Sequence, residues 1–452
     1  MIGFRYFRGF FFFFFSLVVS CLAGYAREKS HVIHPEWSKN ASIYEVNIRQ
    51  YTPEGTFKAF EEHLPRLKKM GVGILWLMPI HPIGEKNRKG TLGSYYAVRD
   101  FRAVNPEFGN MKDFESLVKK IHDLDMYLII DWVANHTAWD HVWAATHPEF
   151  YAKDSLGNFY HEADWTDVIK LDYQNTELRK QMLDAMVFWV KEKNIDGYRC
   201  DVAAIVPTDF WSTVRDTLDK IKPVFMLAEA WEPYLHEKAF DMTYAWQFKD
   251  LLNDIAQGKK SADDLRKYYE ENERVKYHTD AYRMLFTSNH DENSWHGTVF
   301  DRLGDAAEIG AVFGGVFRGM PLIYSGQEAG LDKKLEFFEK DTIKWRKHKF
   351  EEIYSELLNL KVQNQALWNG NSGGEVVHLK TSGDTAVYSF VREKGEDRIL
   401  ALFNFSSEEQ KFTLNDKQIV GEYENVFSGE TVKLKQKANF RLPPWGYLIF
   451  AE

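Results

Sequence analysis

Four acidic residues each close a short apolar run. They are Asp131 after Leu128-Ile129-Ile130, Asp201 after Tyr198-Arg199-Cys200, Glu229 after Met226-Leu227-Ala228, and Asp291 at the end of Leu285-Phe286-Thr287-Ser288-Asn289-His290. Carboxyl groups gathered at one place divide acid, base and nucleophilic work between them when their surroundings push their proton affinities apart. A single acid at a strand end commonly caps the next helix. Four such acids converging on one rim are not explained by capping, and crowding them costs repulsion that folding does not require. Arg199 lies two residues before Asp201, hence on the same face of a strand, where it can hold one carboxylate ionised. Cys200 between them faces the opposite way and reads as a small buried residue, not a nucleophile.

Those runs need a scaffold that aims all four acids the same way. From about residue 40 the 452-residue chain alternates short apolar runs with amphipathic stretches, as repeated βα units do. The spacing predicts strands over 42–48, 73–79, 126–132, 197–202, 224–230, 240–246, 283–288 and 321–324. Helices are expected over 56–70, 111–124, 177–193, 207–220, 305–317 and 350–360. Eight strands with interleaved helices imply a (β/α)8 TIM barrel over residues 35–365, whose C-terminal rim carries the acids. Residues 137–171 are too long for a plain βα loop and read as a small subdomain inserted after strand three. Beyond residue 364, short β-rich runs separated by Gly, Ser and Asp predict a C-terminal antiparallel β domain, 366–452. Its strands are expected over 376–380, 385–392, 398–404, 410–414, 431–434 and 440–450.

Composition narrows the class. Hydrophobic residues at 44% and charged residues at 27% are ordinary for a globular protein. A net charge of -9 argues against nucleic acid as a partner. Two cysteines, Cys21 and Cys200, exclude a disulfide framework. Aromatic residues reach 15%, with 14 Trp and 22 Tyr, and aromatic faces serve both cores and sugar rings. The opening residues read as an export signal: Arg5 and Arg8, then Phe10 to Phe15, then Ser16-Leu17-Val18-Val19-Ser20-Cys21. The apolar part, about a dozen residues, is short of the roughly 20 a spanning helix needs. Val18-Val19-Ser20-Cys21 resembles a bacterial lipobox, which would remove residues 1–20 and attach a lipid to Cys21. Cleavage after Ala26 is the alternative. Either way the protein is expected to be exported, to a periplasmic or cell-surface location, with a membrane attachment through Cys21 in the first case.

Asp131-Trp132-Val133-Ala134-Asn135-His136, Gly197-Tyr198-Arg199-Cys200-Asp201-Val202-Ala203, Glu229-Ala230-Trp231 and Asn289-His290-Asp291 stand in this order on strands three, four, five and seven. They resemble the four signature regions of the α-amylase family of glycoside hydrolases. Gly319-Met320-Pro321-Leu322-Ile323-Tyr324-Ser325-Gly326-Gln327-Glu328 extends the likeness to strand eight. The resemblance implies that Asp201 is the nucleophile of a retaining reaction, kept ionised by Arg199. It implies that Glu229 is the general acid/base, with its proton affinity raised, and that Asp291 is the third carboxylate, orienting sugar hydroxyls. It further implies that Asp131 positions Arg199 and that His136 and His290 bond the reacting sugar. Tyr95, in Gly93-Ser94-Tyr95-Tyr96, resembles the aromatic platform under the ring, with Tyr96 as the alternative. Trp132, Trp165, Trp231 and Trp295 fall near rim loops, where they either line sugar subsites or pack.

Ala204 and Ile205 replace the Lys-His that many members carry after the nucleophile. Asn135 matches the family's calcium-binding Asn, but one side chain cannot complete a site of six to eight oxygens. Asp140, Asp154, Asp164 and Asp167 are the acids that would add to it. No cofactor is expected for the chemistry, and structural calcium stays open. The expected function is hydrolysis of α-1,4-glucosidic bonds in starch or maltooligosaccharides. The nearest rival is a transglycosylase or glucan isomerase using the same intermediate. A non-catalytic carbohydrate-binding or transporter-accessory protein on this fold is a second rival, disfavoured because all three carboxylates are present.

Overall fold

The computed structural model describes residues 32–452. The leader and Cys21, on which the export and lipid expectations rest, lie outside the described residues. Eight parallel strands close into a barrel: β1 (Ile43–Val46), β2 (Ile74–Leu77), β3 (Tyr127–Trp132), β4 (Gly197–Cys200), β5 (Phe225–Ala228), β6 (Met242–Tyr244), β7 (Tyr282–Leu285) and β8 (Met320–Tyr324). β1 pairs with both β2 and β8, which closes the ring. Parallel strands covered on both faces need apolar residues on both, and strict alternation sorts them. Ile43, Ile74, Trp76, Ile129, Phe225, Leu227 and Met284 pack together inside. Tyr44, Leu75, Leu77, Leu128, Ile130, Tyr198 and Met226 belong to the larger core under the helices. The same parity turns Glu45, two residues after Ile43, and Asp131, two after Ile129, toward the barrel axis. Arg199 stands in register with Asp131 on the neighbouring strand and shares that face.

All eight expected strands are present; the first six are trimmed by one or two residues at an end, β7 starts one residue earlier and ends three earlier than expected, and β8 starts one residue earlier. The single helix expected over 56–70 is two, Phe57–Glu61 and Leu64–Met70. Pro65 sits in the first turn of the second piece, where its missing N–H costs nothing, whereas inside one continuous helix it would break the ladder. Helices Trp246–Ala256 and Ala262–Lys267 were not expected. The first buries Phe248, Leu252 and Ile255, and the second, with four charged residues in six, buries only Ala262 and Leu265.

Between β3 and the helix Thr176–Glu192, the insertion closes as an antiparallel hairpin of His136–Ala138 with Val168–Lys170. The C-terminal region forms a six-stranded sheet and a two-stranded one. The single strand expected over 440–450 is two, Lys437–Leu442 and Tyr447–Ala451, parted by Pro443-Pro444, which have no N–H to give a ladder. Gly421–Asn425 is a further strand that was not expected. This sheet packs on the barrel through Phe313, whose ring meets those of Phe403 and Phe405 at 5.0 and 5.2 Å. Fully buried Arg392 donates to the carbonyls of Val316 (3.0 Å), Phe317 (2.8 Å), Gly374 (3.0 Å) and Trp368 (3.2 Å), joining sheet to barrel.

Candidate active site

β3 raises Asp131 to the rim, and β4 raises Arg199 and, one residue beyond its end, Asp201. β5 ends one residue before Glu229, and the turn after β7 carries His290 and Asp291. Arg199 organises the group. Its buried Nη1 donates to Asp131 Oδ1 (2.8 Å) and Asp201 Oδ1 (3.0 Å). Nη2 forms an ion pair with Glu229 Oε2 at 3.0 Å, and Nε donates to the Tyr244 hydroxyl at 3.1 Å. Asp131 is fully buried and also accepts from Trp76 Nε1 (3.2 Å) and the Tyr96 hydroxyl (3.0 Å), so its whole environment serves to fix Arg199. Glu229 is fixed from a second side by the Val202 N–H at 2.8 Å. Val202 has φ 38°, a left-handed backbone that a β-branched residue adopts only when its surroundings hold it there. That strain sits beside Asp201, where it turns an N–H toward Glu229.

Five inward carboxyl groups, Glu45, Asp131, Asp201, Glu229 and Asp291, face two cationic side chains, Arg199 and His290. Burial raises the proton affinity of three of these carboxyls, Glu45, Asp131 and Asp201. Burial, opposed by Arg199, raises Asp131 to about 6. Burial and then the charge of Glu229 hold Asp201 well above the usual carboxylate range, with Arg199 pulling the other way. Arg199, divided among three carboxylates, favours the ionised form of Asp201, while burial and the Glu229 charge oppose it.

The two histidines differ in charge. Burial opposes the His290 cation, but Asp291 and Glu45 outweigh it and raise the imidazole to about 9. Its Nε2 lies 2.8 Å from the Tyr96 hydroxyl and 3.3 Å from Asp291 Oδ2. His136 is lowered to about 4 by burial and is neutral.

These groups open onto a cavity of about 400 Å³. Asp201, Glu229, Asp291, His136 and His290 line it, together with Tyr96, Trp165, Trp295 and Phe337. Asp201, Glu229 and Asp291 keep part of their side chains open to it, at 10, 16 and 31%. Tyr95 does not line it. Its ring is buried under the Arg49 guanidinium at 4.3 Å and its hydroxyl accepts from Asn47 at 3.0 Å, so Tyr96 is the tyrosine that reaches the cavity. Adjacent residues in this turn point to opposite sides, and the Tyr-Tyr pair left the choice open. Of the four rim tryptophans, Trp132 is buried and Trp231 is exposed outside the cavity, while Trp165 and Trp295 line it.

The calcium candidates scatter. Asn135 Nδ2 lies 3.2 Å from His136 Nδ1. Asp140 accepts from the Glu85 N–H at 3.0 Å, Asp154 caps its own turn through Leu156 and Asn158, and Asp167 pairs with Lys89 at 3.3 Å. Among the described residues no three His, Cys, Asp or Glu side chains form a group that could hold a metal ion. These residues do not fit a calcium site together, and no step below passes through one.

The sequence matches the family described as "Alpha amylase, catalytic domain" over residues 32–164 and 147–411, and "Maltogenic Amylase, C-terminal domain" over 378–449. The chain belongs to the α-amylase family. It is a glycosidase on that family's barrel. A maltogenic alpha-amylase from Thermotoga neapolitana has a crystal structure similar to it, with TM-score 0.83 and 33% identity, covering 92% of this chain and 99% of that one. An alpha-amylase from Lactobacillus plantarum superposes with TM-score 0.81 at 28% identity, again over 92% and 99%. "Alpha-amylase 3" of Dictyoglomus thermophilum is 24% identical over 86% of this chain and 89% of its own.

In this amylase-family chain, Phe337 in the cavity wall and Glu45 escaped sequence reasoning, while Tyr96, named only as the alternative platform, also bridges Asp131 and His290. Phe337 stacks on Tyr96 at 6.2 Å from a loop with no motif to mark it. Glu45 did leave a signal, since Ile43-Tyr44-Glu45-Val46 is another apolar run with an acid on its inward face.

Proposed function

We propose that the enzyme hydrolyses α-1,4-glucosidic bonds in maltooligosaccharides or starch with retention of configuration. The observation that carries this reading is that Asp201 and Glu229 are held on the two Nη atoms of one guanidinium at the mouth of an aromatic-lined cavity. Retaining enzymes need their two carboxyl groups about 5–5.5 Å apart, closer than the spacing that admits a water between them. The reactive form has Asp201 ionised and Glu229 protonated. Asp201 attacks the anomeric carbon while Glu229 gives its proton to the glycosidic oxygen, releasing the leaving chain. Glu229 then takes a proton from water, whose oxygen attacks the same carbon and frees Asp201. Asp291 and His290 bond sugar hydroxyls, Tyr96 lies under the ring, and neutral His136 bonds a further hydroxyl.

Mass spectrometry of Glu229→Gln with α-glucosyl fluoride tests the roles. Fluoride leaves without an acid, so a hexosyl ester should accumulate on the peptide containing Asp201, its release having lost its base. An adduct on another carboxylate, or none, contradicts the assignment.

Export with a lipid on Cys21 is the second part of the proposal. Its support is the Val18-Val19-Ser20-Cys21 run behind the basic and Phe-rich start. Among the described residues no helix is long and apolar enough to cross a membrane. Cys21→Ser should move the protein from the membrane to the soluble fraction, and an unchanged membrane fraction would refute lipidation.

A further inference from the structure

Glu45 is fully buried on the inward face of β1, and Asp201 and Arg199 are not its hydrogen-bond partners. Its Oε1 lies 2.5 Å from His290 Nδ1. Its Oε2 is buried without a hydrogen-bond partner among the described residues. A buried carboxylate satisfied by one contact is costly, and an apolar residue of similar size would serve folding at least as well. The cost points to a use beyond packing. The contact falls on the ring nitrogen remote from the cavity, while Nε2 faces Tyr96 and Asp291. Which imidazole nitrogen carries a proton is set by the bond the other makes.

We propose that Glu45 is a positioning residue for catalysis: it holds the Nδ1 proton of His290 and so aims Nε2–H as a donor at the Asp291 side of the sugar pocket. This deepens the function proposed above and rests on it for the identity of the sugar. Without Glu45, His290 would be free to rotate, to become neutral with the proton on either nitrogen, or to accept from Tyr96 in place of donating to substrate. A charged donor bonds a developing partial charge about twice as strongly as a neutral one, so the effect belongs in kcat as well as KM.

The charged and titratable groups facing His290 come from five elements. Glu45 is on β1, Tyr96 on the loop after β2, Asp131 on β3, Arg199 on β4, and Asp291 on the turn of His290 itself. Burial and Arg199 disfavour the His290 cation, while Asp291 and Glu45 favour it, the sum placing it at about 9. Because the folded value lies above the ordinary one, the cation is present below it and lost as pH rises through it. Removing the Glu45 charge must bring that loss to lower pH.

The test compares wild type with Glu45→Gln, which keeps the shape and an acceptor for Nδ1–H but removes the charge, and with Glu45→Asp. The first readout is NMR titration of the 13C-labelled His290 ring, assigned by its disappearance in His290→Asn. Wild type should titrate in the alkaline range, Glu45→Gln at least about one unit lower, and Glu45→Asp near wild type. The second is kcat/KM on maltoheptaose, where the loss in Glu45→Gln should be about twofold greater at pH 8 than at pH 5.5. A His290 titration that Glu45→Gln leaves within a few tenths of a unit would overturn the proposal, as would an equal loss of activity at both pH values. If wild type cleaves no α-glucan yet the titration moves as expected, the substrate reading fails and the coupling of Glu45 to His290 stands.

Discussion

Asp201 and Glu229 are chemically alike and must end in different protonation states for the proposed reaction. Both rest on Arg199, but Asp201 is the more enclosed of the two, and burial with the Glu229 charge raises its carboxyl. A raised carboxyl keeps its proton until the pH climbs through the raised value, and the nucleophile needs it gone. The acid limb of kcat/KM should therefore lie clearly above the roughly 3.9 of an ordinary aspartate. Because kcat/KM reports the free enzyme, this limb belongs to the empty site. A profile from pH 3 to 10 checks it, and an acid limb at or below the ordinary value would mean that Arg199 dominates after all. The sequence motifs marked Asp201, Glu229, Asp291, His136 and His290, and these five residues meet at one cavity. Tyr95 was misread because a turn, unlike a strand, imposes no parity, and only the Arg49 contact shows which ring faces inward.

At the scale of elements, the site depends on strand register more than on loops. Asp131 and Arg199 meet because β3 and β4 pair in parallel with those residues opposite, and the inward face follows from the alternation of each strand. This was readable from eight apolar runs. The broken helix at Pro65 and the split at Pro443-Pro444 were also written in the chain, since proline position decides both. Of the helices after β6, Ala262–Lys267 was not, because four of its six residues are charged and only Ala262 and Leu265 turn inward. The C-terminal sheet is joined to the barrel by the cation of Arg392, buried among four backbone carbonyls. Burial lowers that guanidinium to about 9, so its charge is held at a cost that the carbonyl bonds offset. Arg392→Met leaves those carbonyls without a donor and should destabilise the fold by roughly 2–4 kcal/mol. Thermal melting should show the loss as a lower midpoint, with activity at low temperature retained. A midpoint unchanged within error would show that the apolar contacts around Phe313 suffice.

For the whole molecule, barrel, insertion and C-terminal sheet form one body whose chemistry is gathered at one end. The insertion contributes Trp165 to the cavity and the loop after β8 contributes Phe337, so aromatic rings from two separate segments line it beside the carboxylates. Family membership fixes the reaction as glycoside hydrolysis, and the arrangement of Asp201 and Glu229 supports retention through a covalent intermediate. The measurement that bears on this most directly is proton NMR of the protein acting on maltoheptaose, following the anomer first released before mutarotation. The α-anomer should appear first, together with shortening of the chain. First release of the β-anomer would contradict retention, because a single displacement by water would then replace attack by Asp201.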